Sequence, residues 1–442
     1  MERKRMYKEI TKCIICSNEL TEVVNLGIQF VVDFVKEKDE KLLKAPLVLM
    51  KCNKCSFIQL KHRVSPDRLY KKFWYRSGIN EQMKDELCLI VQKAQEVVSL
   101  KDGDKVLDIG CNDGTLLGWY PQTVVTVGVD PCEELVVEGV KAKRIDMGVF
   151  DYFSLDTISK LSAKLGTSVF NFKIITAVAM FYDVETPVQF LKDCKVLLNK
   201  EGVLIIQMNY LVSMLSDTAF DNVSHEHLGY YSVLTLNAVV EKAGLDLQGI
   251  EISPCNGGSI RAYITHKGFD NFCKKDHEQK LWLNQSVQYR QITEMRQGLD
   301  KDILYKSFTR DIEMKVEKIR TALAGVKDKK VYLYGASTRG TVLTQKLFQN
   351  GDASQILGVA ERDEHKFGLK MVGTWLPIVP EEEFRKNADY ALILPWHFKD
   401  SIIKREKDWL LKGGKFLIPL PKPMLVQAKD PEQMFAEVGT TL

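Results

Sequence analysis

A chain of 442 residues is long for a single hydrophobic core, and at roughly 100–200 residues per domain it implies two to four domains. Its 62 basic and 58 acidic residues leave a net charge of +4, too balanced for a nucleic-acid footprint but compatible with a locally basic pocket for an anionic substrate. A hydrophobic fraction of 45 % with abundant charge excludes disorder.

The opening stretch, MERKRMYKEITKC, is charged and has no apolar run, so it does not read as a secretory signal. The most apolar runs, VLIIQM and IITAVAMF, fall far short of the ~20 residues a membrane helix needs. A soluble, cytoplasmic protein is expected, with no nucleic-acid or membrane partner. In that compartment ten cysteines are free thiols or metal ligands, not a disulfide framework. No repeat of 20–50 residues and no low-complexity tract is present.

Residues 1–80 carry two Cys-x-x-Cys knuckles, Cys13-Ile-Ile-Cys16 and Cys52-Asn-Lys-Cys55, separated by 35 residues. Each knuckle aims two sulfurs at one point, and two knuckles make a tetrahedral thiolate cage. The intervening segments EVVNLGIQFVVDF and APLVLMKC read as short strands, too few for a core alone, so a zinc ion supplies folding energy. Four thiolates close the coordination sphere, which makes the zinc structural. The alternative is two independent thiol pairs.

Residues 81–270 read as a doubly wound α/β domain. After the helical stretch EQMKDELCLIVQKAQEVVSL comes DKVLDIGCNDGTLL, with Val106–Ile109 as a buried parallel strand and Gly110-Cys111-Asn112-Asp113-Gly114 as a turn opening a helix. A second strand, VVTVGVD, ends in Asp130, placed to accept ribose hydroxyls and followed by Pro131. Acid-ended second strands also occur in dinucleotide-binding folds. The turn separates the two, because Asp113 stands where a pyrophosphate would sit. The segment VLDIGCNDGTLL is similar to the first motif of class I S-adenosylmethionine-dependent methyltransferases. The candidate cofactor residues are therefore Asp108, Gly110, Cys111, Asn112, Asp113, Gly114, Asp130 and Pro131. The alternation continues with strand KIITAV (173–178), helix TPVQFLKDCKVLL and strand GVLIIQMNY. A Rossmann-like domain that binds nothing is the alternative.

Beyond that strand lies SHEHLGYYS, residues 224–232, in a chain with only seven histidines. It precedes SVLTLNAVVEKAGL, a helix with Ser232 as N-cap and Gly244 as its stop, so it sits on a loop at the carboxyl edge of the sheet. Adjacent His-Glu-His residues do not readily converge on one metal ion from a loop, and no His-Glu-x-x-His helix is present. Three readings stand open: a metal site, which adjacent residues on a loop suit poorly, a solvated polar loop, and a base with a neighbouring carboxylate, since imidazole titrates near neutrality.

Paired knuckles, the methyltransferase motif, HEHLGYYS and NGGSIRAY (256–263) occur here in that order. The ordered set resembles the sugar C-methyltransferases that act on nucleotide-linked 4-keto-deoxyhexoses. In that family a zinc domain and a C-terminal Rossmann-like domain flank the methyltransferase domain, and the resemblance spans essentially the whole chain. It implies His227 as the base, Glu226 as its helper, and Tyr75, in FWYRSGIN, as part of the substrate site. Ser224 stands where the family's loop usually has tyrosine, which puts the particular sugar and the methylated carbon in question. The implied chemistry is proton removal beside a ketone by His227, with a hydroxyl of Tyr75 or Ser224 on the oxyanion, then methyl transfer to the enolate carbon. No metal or redox cofactor is required for that step.

Residues 271–442 begin with a charged helical connector (DIEMKVEKIRTALAGV). The segment KVYLYGASTRGTVLTQKL then repeats the strand–turn–helix pattern, followed by strands ILGVAERD and YALILPWHF. The turn Gly335–Gly340, with Arg339, suits a substrate phosphate. A second cofactor site is the rival, with Glu361 as its nearest acid. Competing functions are O- or N-methyl transfer to another small metabolite, and a zinc-dependent binding module without catalysis. Asp108, Gly110 and Asp130 speak against the latter. A monomer or small homo-oligomer is expected.

Overall fold

The computed structural model describes residues 7–38, 42–166, 171–269, 272–273, 277–349, 353–428 and 440–441. The expected start of the connector, 271–276, falls mostly outside them.

The N-terminal sheet is built on β1 (Leu20–Phe30) and β3 (Lys44–Cys52), antiparallel with Leu20 opposite Cys52. Between them lies the short β2 (Phe34–Val35), and β4 (Ile58–Leu60) pairs with β3. The apolar run of β3, KAPLVLMKC, is buried nearly end to end, as a continuous hydrophobic strand requires. Its cover comes from elsewhere. Leu47 and Leu49 share one core with Phe220 and Val223 from the histidine loop, and with Ile312 and Val342 from the last third of the chain.

Helix α1 (Glu81–Val97) leads into a seven-stranded sheet. β5 (Lys105–Ile109), β6 (Val125–Val129), α2 (Glu133–Lys141) and β7 (Met147–Val149) fill one side. The chain then crosses to β8 (Phe172–Val178), α3 (Pro187–Leu197) and β9 (Leu198–Asn209) on the other. Next come β10 (Gly229–Tyr230) and α4 (Val233–Lys242). Ser232 caps α4 through the amide of Thr235, and Gly244 follows its end at φ +74°. A closing hairpin, β11 (Leu245–Ser253) and β12 (Ser259–His266), completes the order β11-β12-β9-β8-β5-β6-β7. The five strands β5 to β9 are parallel, while β12 runs antiparallel to β9. The strand order reverses between β5 and β8, where a doubly wound sheet opens a crevice at its carboxyl edge.

β10 does not join this sheet. It pairs antiparallel with β4, Gly229 opposite Gln59, so the N-terminal sheet is completed by a strand from the methyltransferase-like region.

Two helices connect onward, α5 (His277–Gln297) and α6 (Asp302–Ala324). The last region holds β13 (Val331–Tyr334), α7 (Thr338–Leu347), β14 (Ile356–Glu361), β15 (Lys370–Met371), β16 (Ile378–Pro380), β17 (Tyr390–Ile393), β18 (Lys415–Ile418) and β19 (Met424–Gln427). Its sheet runs β16-β14-β13-β17-β18-β19-β20, with β20 (Thr440–Thr441) at the edge, a second doubly wound arrangement. β15 leaves that sheet to pair with β2 of the N-terminal region. No helix among the described residues is long and apolar enough to cross a membrane.

One anchor of the connector is a buried carboxylate. Glu294 on α5 accepts hydrogen bonds from the amides of Val233 and Leu234, at 2.6 and 2.8 Å, and from the Tyr210 hydroxyl at 2.7 Å. The two amides open α4, where a helix favours an anion. Replacing Glu294 by Ala should therefore lower unfolding stability by about 3 kcal/mol, the cost of charge-assisted bonds to donors left buried. Urea titration is the check, and a loss under about 0.5 kcal/mol would show that this carboxylate does not anchor α5.

Candidate active site and zinc cage

The four knuckle thiols come together as their spacing requires. Sulfur separations are 3.4 Å for Cys16–Cys52, 3.5 Å for Cys16–Cys55 and 3.6 Å for Cys13–Cys55, and all four lie within 4.8 Å of one another. A tetrahedron with Zn–S bonds of about 2.3 Å has edges of about 3.8 Å, so the donor set fits zinc. Each knuckle is closed by a backbone bond, Ser17 N–H to Cys13 O and Ser56 N–H to Cys52 O, with both serines at positive φ. The amides of Ile15 and Lys54 donate to the Cys13 and Cys52 sulfurs at 3.4 Å, which stabilises thiolate.

The two doubly wound sheets meet carboxyl edge to carboxyl edge around a cavity of about 490 Å³. One wall carries Asp108, Gly110, Cys111, Asn112, Asp130 and Pro131. Asp130 ends β6, and its two oxygens accept the amides of Asn112 (3.0 Å) and Cys132 (2.8 Å). One lone pair on each oxygen remains for a diol, so this wall fits the ribose of S-adenosylmethionine. Asp108 is buried and takes the Thr176 hydroxyl at 2.6 Å, and burial pushes its carboxyl up to about 7.

Asp113 and Gly114 are not part of that wall. The Asp113 carboxylate turns away from the cavity to accept the Gly78 amide at 2.9 Å and the Thr115 hydroxyl at 2.6 Å. Its role is therefore to fasten a neighbouring segment, not to repel a phosphate. Gly114 sits at φ +73°, and a Cβ there would meet Ile145 at 2.6 Å. Asn112 joins the fastening, since its amide donates to the Tyr75 carbonyl (2.9 Å) and accepts from the Ser77 amide (3.0 Å). Asn112 and Asp113 thus clamp residues 75–78 across the turn and set Tyr75 at the cavity rim, 41 % exposed.

The His-Glu-His loop is not solvated. His225 is 1 % exposed and His227 9 %. The two rings part company. His225 points into the N-terminal sheet, where its Nε2–H donates to the Ala45 carbonyl at 2.9 Å. His227 lines the cavity, and its Nδ1–H donates to the Asn222 carbonyl at 2.7 Å, which leaves the Nε2 lone pair toward the open space. The Tyr182 ring packs on it, centroids 4.2 Å apart. Burial lowers both imidazoles to about 4, so both stay neutral near pH 7. Glu226 also lines the cavity, and burial raises it to about 7. Ser224, by contrast, is fully buried away from the cavity, and its hydroxyl has no partner among the described residues.

Several cavity residues escaped the sequence reading. Tyr70 donates its hydroxyl to the Glu226 carbonyl at 2.9 Å. Asp183 lies on the same wall, its carboxyl raised by burial and then by Glu226. Arg339, expected free for a phosphate, is instead paired through Nε with buried Asp221 at 2.8 Å, and Trp396 Nε1–H shares that oxygen at 3.0 Å. The signal for Trp396 and His397 was their place just past β17, at a carboxyl edge. The glycines of NGGSIRAY are also explained, because a Cβ on Gly257 would meet Trp396 at 2.9 Å and one on Gly258 would meet Ser213 at 2.4 Å.

Three family models match the chain in tandem: "Putative zinc binding domain" over residues 13–70, "Methyltransferase domain" over 79–249 and "C-methyltransferase C-terminal domain" over 254–421. The fold and site define a class I methyltransferase. That tandem supports S-adenosylmethionine-dependent C-methyl transfer as the activity. It is 27 % identical over 390 residues to the C-methyltransferase NovU of Streptomyces niveus, spanning 87 % of this chain and 88 % of that one. A 108-residue stretch is 31 % identical to the ubiquinone biosynthesis O-methyltransferase of Haemophilus ducreyi, covering 24 % of this chain and 44 % of the relative. Among solved structures, the magnesium protoporphyrin IX methyltransferase of Synechocystis with bound S-adenosylmethionine aligns at a TM-score of 0.30 and 12 % identity, over 42 % of this chain and 79 % of that one.

Protein purified without chelators should carry about one zinc per chain, and Cys52→Ser should lose it and melt the N-terminal sheet first, because metal binding and folding are coupled. Elemental analysis with hydrogen exchange reads both. Metal-free protein with a fully protected β3 would overturn the assignment.

Proposed function

We propose that the protein methylates a carbon beside the ketone of a nucleotide-linked 4-keto-deoxysugar, with His227 as general base. The observation that carries this reading is the His227 ring. Its tautomer is set by the Asn222 carbonyl, it is kept neutral by burial, and Nε2 opens on the cavity that Asp130 also lines. A carbon acid needs such a base, because carbon is a poor nucleophile until a proton beside a carbonyl has left. S-adenosylmethionine, when bound along the Asp108–Pro131 wall, supplies an electrophilic methyl group. The chain's part is to place the acceptor carbon in line with it and to exclude water. Glu226, which lines the same cavity, takes up the proton in turn. Tyr75 at the rim borders the acceptor, and the nucleotide lies toward the C-terminal sheet.

Asp130→Ala should weaken S-adenosylmethionine binding by roughly 1.5–3 kcal/mol, the value of charge-assisted hydrogen bonds. Unchanged affinity by calorimetry would remove Asp130 from the site. His227→Asn should lower turnover by about 10²–10⁴-fold at nearly constant cofactor affinity, as loss of a general base does. His225→Asn should cost much less turnover, its ring being turned into the N-terminal sheet. Incubation with labelled methyl donor and a panel of 4-keto sugar nucleotides, with the product located by NMR, tests the substrate. A methyl group found on oxygen or nitrogen would replace this reading by heteroatom transfer.

A further inference from the structure

Helix α5 has one face that the fold uses and one that it leaves bare. On the inner face Leu283 and Val287 are buried, the Ser286 hydroxyl accepts the Ile250 amide at 3.0 Å, and Glu294 holds the start of α4. A surface helix ordinarily sets polar and charged residues on its other side. Here that side carries Leu281, Trp282, Tyr289, Ile292 and Met295, with Trp282 54 % and Tyr289 65 % exposed. Trp282 and Tyr289 stand seven residues apart and Leu281 and Met295 fourteen, so the stripe follows the heptad spacing of a coiled-coil seam. An exposed apolar stripe along a whole helix marks a contact surface.

The charges on this face select the partner. In a chain with 27 % charged residues, the exposed residues of α5 include only two charges, Glu278 and Arg296. They lie eighteen residues apart, five full turns of helix, which puts them on one line at opposite ends of the stripe, about 27 Å from one another. An acid and a base placed in this way are complementary to their own reversed copy.

We propose that this face is the interface between two copies of the chain, their α5 helices packed antiparallel about a two-fold axis near Val287. Each Glu278 then meets the partner's Arg296, and each Trp282 lies level with the partner's Ile292. A parallel pair would set acid on acid and base on base, so the charges fix the direction. The stripe supplies fewer residues a side than the about 20–30 of a standard interface, so the dimer should dissociate in the micromolar range. No residue of α5 lines the cavity, so pairing leaves both sites open. It braces the helix that Glu294 fastens to α4 in each copy.

The test is sedimentation velocity on the full chain from low micromolar to sub-millimolar concentration, with thermal melting as the check on folding. Wild type should pass from monomer to dimer across that range. Trp282→Ala with Tyr289→Ala should raise the dissociation constant at least about 100-fold, because aromatic anchors carry most of a small interface. Glu278→Arg and Arg296→Glu should each weaken the dimer about tenfold, since each turns both symmetry-related ion pairs into repulsions. Combined in one chain, the two changes restore opposite charges across the axis and should recover the wild-type constant within about threefold. If the aromatic variant fails to fold, the charge series decides alone. Wild type that stays monomeric throughout would overturn the proposal, and its flotation with phosphatidylserine-containing vesicles would assign the stripe to a lipid surface instead. A dimer left intact by the aromatic variant would place the contact elsewhere on the molecule and overturn it too. So would a double charge variant as weak as the single ones, which excludes the antiparallel pair.

Discussion

The N-terminal sheet cannot cover itself, and the rest of the structure follows from how it is covered. β3 is apolar on both faces, so it must be packed from two sides. One neighbour is β4, and beyond β4 the sheet is finished by Gly229–Tyr230, taken from a loop of the central sheet. That loan fixes the histidine loop at both ends. The Leu60 amide donates to the Leu228 carbonyl, the Leu228 amide donates to the Tyr182 carbonyl, and His225 is anchored on Ala45. The zinc cage stabilises the sheet far from the chemistry, yet the ring of His227 inherits its position from that sheet two residues on. Under the proposed role of His227, a metal with no open coordination position would still matter to catalysis in this indirect way.

The same economy runs through the C-terminal region. β15 reaches back to pair with β2, and Arg339 crosses to Asp221 and the Asn256 carbonyl. Gly257 permits the close approach that brings Trp396 onto Asp221. An arginine–carboxylate pair in such a place gains little net stability, because desolvation offsets most of the attraction. Its geometric effect is larger, since it holds one orientation of two domains that share a cavity.

Much of this was legible in the chain itself. The knuckle spacing, the glycine turn after Ile109, the acid ending the next strand and the cap at Ser232 are local signals with local causes and stand where their patterns placed them, but the helix expected to open at the Gly110–Gly114 turn is only the short 3-10 turn Leu117–Trp119. The β/α alternation carried the location of the cavity as well, because a doubly wound sheet opens at its carboxyl edge. What could not be read was the direction of individual side chains. Asp113 and Asn112 bind a segment some thirty-five residues upstream, a contact that no spacing within the turn encodes. Ser224, His225 and His227 are near neighbours in a loop without periodicity, so only tertiary contact decides that one faces the cavity and two do not. A two-residue strand such as Gly229–Tyr230 lies below any pattern that alternation can reveal.

The clamp of Asn112 and Asp113 on residues 75–78 has a thermodynamic consequence. The cofactor's turn and the rim that borders the acceptor are one mechanical piece, joined by hydrogen bonds from the Ser77 and Gly78 amides and to the Tyr75 carbonyl. A ligand that orders the turn lowers the entropy cost of ordering the rim, and the second ligand then meets a surface already set. Linkage makes the effect mutual: whatever factor the methyl donor gains for the acceptor, the acceptor returns to the donor. Under the proposed function, this clamp would couple binding of the methyl donor at the turn to binding of the acceptor at the rim.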